Sequence, residues 1–102
     1  ALIELNSTTA DFTLDIKGQM AAVVIVDVGI TGAGVNVTDA LPGTFIGQLC
    51  LIVNRAASSN PMQVDNNPGG LLSIGAARTL DPGDGLQLFW TGATWVAALA
   101  NL

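Results

Sequence analysis

Histidine and tyrosine are absent from the chain, cysteine occurs once, and lysine and arginine together number three. Each gap excludes a class of function. With no imidazole anywhere, Ser7, Ser58, Ser59 and Ser73 lack the usual base that activates a serine nucleophile, and none sits in a G-x-S-x-G turn. Cys50 lacks the same partner, and its setting in Leu49-Cys50-Leu51-Ile52-Val53 is that of a small buried apolar residue. An enzyme is therefore not expected. One cysteine cannot build a disulfide framework, which fits assembly in a reducing cytoplasm. Lys17, Arg55 and Arg78 are too few and too scattered to neutralise phosphates, and the net charge is −5. Nucleic acid and anionic membrane surfaces are thus excluded as partners. The longest apolar run, Met20-Ala21-Ala22-Val23-Val24-Ile25-Val26, falls far short of the roughly 20 residues of a spanning helix. No basic segment leads into an apolar one at the start of the chain, so no signal peptide is expected.

Charge of either sign is scarce. Charged residues are 11% of the chain, against about 25% in an average soluble domain. With half of the residues apolar, a solitary monomer has few polar side chains to cover its surface, and association with further copies or another protein would bury the excess.

What is present is β structure in short pieces. Twelve glycines and four prolines cut the 102 residues into runs rich in Val, Ile, Leu, Thr and Phe, with almost no helical periodicity. Residues 1–102 read as one domain, with residues 1–7 as a possible N-terminal arm. Phe12, Leu14 and Ile16 alternate with Thr13, Asp15 and Lys17, so the first three should point inward. The run Met20 to Val28, apolar but for Asp27, predicts a strand buried on both faces, or one at a subunit contact, which makes Val24 and Val26 packing or interface candidates. A long strand with a break at Gly47 is expected from Thr44 to Asn54, and short strands near Met62–Asp65, Leu71–Ile74 and Ala77–Leu80. Leu86 to Trp90 and Thr94 to Leu99 should pair across Thr91-Gly92-Ala93. About eight short strands predict a single-domain antiparallel β-sandwich, a jelly roll or a small barrel.

Candidate sites weigh toward packing. The glycines around Gly32 lack the third glycine and the following helix of a dinucleotide loop. Asp81 and Asp84 flank a Pro-Gly turn, and Asp65-Asn66-Asn67 form a second oxygen-rich turn. Both are explained by side chains bonding their own backbone, without the ligand number calcium requires. No cofactor and no metal are expected. Phe89, Trp90 and Trp95 could stack on a sugar, but adjacent Phe89 and Trp90 must face opposite sides of a strand, which favours a core or a subunit contact.

The layout Leu41-Pro42-Gly43, Gly47-Gln48 and an apolar strand, then Gly69-Gly70, then Leu80 to Gly85 before Leu86-Gln87-Leu88-Phe89-Trp90-Thr91-Gly92-Ala93-Thr94-Trp95 resembles small β-rich virion proteins of tailed bacteriophages. The resemblance covers roughly residues 40–99. It implies either a head decoration protein, a homotrimer seated on the capsid exterior, or a trimeric tail-fibre tip. The start at Ala1, as after removal of an initiating methionine, and the lack of a repetitive shaft lead us to expect the free-standing decoration protein, stabilising the shell by binding the major capsid protein. Ala1, Leu2, Ile3, Glu4 and Leu5 are then the candidate contact, as a terminal strand added to a neighbour's sheet edge. The alternative is a fibre tip contacting receptors or glycans through residues 56–61 or 66–70.

Overall fold

Alternation decides the architecture. In a computed structural model that describes residues 2–16, 18–29 and 34–97, β3 (Ala21–Val28) buries every second side chain, Ala22, Val24, Val26 and Val28, and leaves those between half-covered. The expectation of burial on both faces does not hold for this strand. Its second face carries Ala21, Val23, Ile25 and Asp27.

Nine strands form two sheets. Sheet I has the order β1 (Leu2–Thr8), β3, β5 (Leu49–Asn54), β8 (Gly85–Trp90), β9 (Trp95–Ala97). Sheet II has the order β2 (Phe12–Leu14), β4 (Val35–Ala40), β6 (Met62–Val64), β7 (Arg78–Leu80). Through β6 the chain changes sheet after every strand, so neighbours in a sheet are two elements apart. That winding makes β1, β3 and β5 mutually parallel, and likewise β2, β4 and β6. The β-sandwich is as expected, but antiparallel pairing is confined to β5 with β8, β8 with β9 and β6 with β7. Alternation has the same period in either direction, so it carries no information on strand polarity.

The core lies between the sheets. From sheet I come Val24, Val26, Cys50, Ile52, Leu86, Leu88, Trp90 and Trp95; facing them from sheet II are Leu14, Val35, Val37, Met62, Val64 and Leu80. Leu14 and Ile16 are buried and Phe12 half-buried, with Thr13 and Asp15 exposed, as the period-two pattern requires; Lys17 lies outside the described residues.

The closing hairpin seals one end of this core. Trp90 and Trp95 pair across β8 and β9 with ring centroids 5.6 Å apart and planes tilted by 56°. The Trp95 indole Nε1 donates to the Leu41 carbonyl at 2.9 Å, which satisfies the ring's polar edge inside the fold. Residues 41–48 wrap this end. Gly47 N–H donates to the Trp90 carbonyl, Trp90 N–H to the Gln48 carbonyl, and Thr44 N–H to Gln48 Oε1 at 2.7 Å. Gln48 Nε2 reaches the Gln19 carbonyl, so this fully buried amide ties two connections together. The strand expected from Thr44 therefore begins only at Leu49: Gly47 takes φ +90°, a left-handed conformation that bends the chain, and Gln48 N–H closes a turn on the Phe45 carbonyl. No strand forms at Leu71–Ile74 either, where Leu72 makes isolated bridges to Asn67 and Trp95.

Replacing Trp95, 1% exposed, with alanine is expected to cost about 3–5 kcal/mol in urea unfolding, since it opens a large cavity and strands the Leu41 carbonyl. A loss below about 1 kcal/mol would contradict this placement. A β-carbon on Gly43 would lie 2.3 Å from Trp90 Cγ. Gly43→Ala should therefore lower stability by about 1–3 kcal/mol through overpacking, seen as a lower urea midpoint.

Candidate functional site

The residues singled out for the N-terminal contact belong to the sandwich itself. Leu2 to Leu5 lie in β1, in register with Val23 to Val26 of β3, while Ala1 lies outside the described residues. Alternation divides them. Ile3 and Leu5 turn toward the core, and Leu2 and Glu4 turn outward. Both β1 and β2 end their sheets, and between them a cavity of about 220 Å³ opens, lined by Ile3, Leu5, Phe12, Leu14 and Val24 with Thr8, Thr13 and Asp15.

The packing candidates fall on two sides of sheet I. Val24, Val26, Trp90 and Trp95 are interior, and Phe89 stands on the outer face. The strand registers assemble that outer face in rows. One row runs Ala21, Leu49, Phe89, Val96, the next Leu2, Val23, Leu51, Gln87, and the third Glu4, Ile25, Val53, Gly85. In the first two rows only Gln87 is polar. A shallow depression of about 280 Å³ lies over Val23, Leu49, Leu51 and Gln87. Two exposed apolar residues border the same end, Met20 directly before β3 and Ile46 beside the β8–β9 turn, with Ile46 Cγ1 only 3.0 Å from a β-carbon built on Gly92.

Sheet II presents the opposite chemistry. Across its outer face the corresponding row is Asn36, Gln63, Thr79, and Thr13 stands beside Asp39. Two sheets of one sandwich thus differ in what they offer to the surroundings. Water covers the polar face at no cost, whereas the apolar face leaves a contiguous hydrophobic surface uncovered.

The carboxylate and loop candidates are committed to holding the chain. Asp84 Oδ2 accepts the Asp81 N–H at 3.1 Å and Asp84 N–H donates to the Asp81 carbonyl at 2.9 Å, with Gly83 at φ +97° between them. That is a Pro-Gly turn, with its carboxylate serving the backbone. Asn66 Oδ1 accepts N–H groups of Ile74 and Gly75, and Asn67 Nδ2 donates to the Thr38 carbonyl. Asp39 Oδ1 accepts N–H groups of Ala40 and Leu71. In the 56–61 loop, Ser58 Oγ accepts the Val28 N–H and donates to the Val26 carbonyl, and Asn60 Nδ2 donates to the Gly29 carbonyl. These side chains fasten loops to the sandwich and leave less of their hydrogen-bonding capacity for a sugar.

Asn54 and Gln48 escaped sequence reasoning. Asn54 is wholly buried, its Nδ2 donating to the carbonyls of Leu80 at 2.9 Å and Asn60 at 3.1 Å, which locks the end of β5 to sheet II. Nothing local in the sequence marks either amide, because each has a carbonyl partner distant in the chain, Gln19 for Gln48 and Leu80 for Asn54. The outer face of sheet I did leave a signal: the odd-numbered positions of β3 and β5, apart from Asp27, are apolar while the even-numbered ones already supply the core.

A family model described as phage depolymerase C-terminal beta sandwich domain matches residues 6–96, from within β1 into β9. No solved structure matches the chain.

Cys50 is interior, and burial pushes its thiol up from an ordinary 9.0 to about 12. Above pH 9 the unfolded chain loses this proton while the folded chain keeps it. The unfolded state then binds fewer protons and stability falls with rising pH, by up to about 1.4 kcal/mol per unit from this group. The contribution is fully present below 9 and lost as pH climbs toward 12. Urea unfolding between about pH 8 and 10 should show a steeper decline for the natural chain than for Cys50→Ala; parallel declines would contradict the thiol's burial.

Proposed function

Because the chain belongs to the phage depolymerase C-terminal β-sandwich family, we propose that it is a structural module of a phage tail, carried beside a depolymerising activity that resides in other residues. The match over 6–96, which spans the sandwich, is the observation that supports this reading. A depolymerase must meet its polymer, and the tail is the part of a virion that meets the cell. That favours the tail over the capsid-decoration reading that the sequence first suggested. Within the module the candidate carboxylates and amides hold turns and loops, and the two tryptophans close the core. Its contribution is therefore mechanical: a folded block that positions or holds together the tail component.

A receptor- or glycan-binding tip is the second reading, and the family match supports it as well, since a module carried with a depolymerase suits a tail. The commitment of Ser58, Asn60, Asn66 and Asn67 to the protein's own backbone makes it the weaker of the two.

Antibodies raised against the purified chain and detected with gold particles on intact virions decide the location. Gold is expected at the tail. Uniform labelling of the capsid, with the tail bare, would overturn the proposal in favour of decoration.

A further inference from the structure

We propose that the outer face of sheet I is where copies of this chain meet, so that the uncovered rows on β1, β3, β5, β8 and β9 become the buried centre of a homo-oligomer. The inference is independent of where on the virion the module sits.

Three observations lead to it. The first is the division between the sheets. Leu2, Val23, Leu49, Leu51, Phe89 and Val96 stand on one outer face, while the equivalent face of sheet II carries Asn36, Gln63 and Thr79. Apolar residues on a strand's second face serve no purpose in the sandwich core, which the alternate positions already fill.

The second is extent. Strands about 4.8 Å apart and residues about 3.4 Å apart along them give five strands a face roughly 20 Å square. That is about 400 Å² in projection, and side-chain corrugation with Met20 and Ile46 at the border enlarges it toward the ~800 Å² each partner contributes to a standard interface. Met20 is 76% and Ile46 77% exposed, values that make sense for side chains awaiting a neighbour.

The third is charge, and it selects the occupant. The chain carries a net charge of −5, so two copies repel wherever their acidic groups approach. The first two rows carry no charge at all, and the third has Glu4 at its edge, paired with Arg55 at 3.6 Å. Asp27 shares the outward alternation of β3 but lies beyond the third row, and Asp11, Asp15, Asp39, Asp65, Asp81 and Asp84 lie outside these rows. The first two rows are where like-charged copies can approach without bringing carboxylates together, and an uncharged apolar strip is self-complementary in chemistry. Closure of the contact into a symmetric oligomer would bury every copy's face and leave the polar sheet II outward.

Sedimentation velocity on the purified chain tests the proposal, with Leu49→Glu and Leu51→Glu on the face and Gln63→Glu on sheet II as the control. The natural chain and Gln63→Glu are expected to sediment as the same closed oligomer at micromolar concentration. Leu49→Glu and Leu51→Glu should dissociate to monomers, with self-association weakened at least ten-fold, while far-ultraviolet dichroism and tryptophan emission stay native. If a strand variant fails to fold, Met20→Glu, in a connection at the border of the face, provides the same readout. A natural chain that remains monomeric overturns the proposal. So does an oligomer that survives the folded face variants, or one that Gln63→Glu disperses.

Discussion

The interleaved winding of the chain is the constraint on which everything else rests. Because the polypeptide crosses between sheets after each strand through β6, no strand in that stretch can pair with its neighbour in sequence. Each must wait for the next but one. β3 gains its hydrogen bonds from β1 and β5, and its inward side chains, Val24 and Val26, gain their contacts from the opposite sheet. Parallel, non-local pairing of this kind offers little local stability, so the core has to be assembled cooperatively. The antiparallel β6–β7 and β8–β9 pairs then finish the two sheets.

From that winding follows a fold with unlike ends and unlike faces. At one end the Trp90–Trp95 pair, the Leu41 carbonyl and the buried Gln48 amide bind the 41–48 connection down over the core. Along the other border, β1 and β2 leave their outer edges without a strand among the described residues, with an apolar cavity between them. Sheet II faces outward with amides and hydroxyls, sheet I with aliphatic rows. The tryptophan hairpin contributes to both aspects: its inward residues close the core, and Phe89 and Val96 between them join the aliphatic face.

Much of this is written locally, and the rest is not. Phe12, Leu14 and Ile16 could be assigned inward from period two alone, and the Trp-bearing hairpin and the Asp81-Pro82-Gly83-Asp84 turn follow from residue types with well-understood backbone preferences. Strand polarity could not be read, because a period of two survives reversal of the chain. Phe45 and Ile46 imitate a strand, but the bend at Gly47 is fixed by a hydrogen bond to Trp90, more than forty residues away. Gln48 and Asn54 look like surface amides until their distant carbonyl partners are known. The apolar run in β3 admitted two explanations, and only the position of sheet II shows that one face of the strand is outside the core. Membership of the phage depolymerase C-terminal β-sandwich family lay outside the residues' own chemistry, and rests on the family match.

Many polar side chains of the sandwich serve its own loops, and the outer face of sheet I is mainly hydrophobic. The most direct measurement is a side-chain-resolution cryo-electron microscopy map of the assembled tail component. The account predicts Val23, Leu51 and Phe89 in van der Waals contact with another copy of the chain, and Asn36, Gln63 and Thr79 facing solvent. A map in which sheet I faces solvent and the copies meet through sheet II, or do not meet at all, would contradict it.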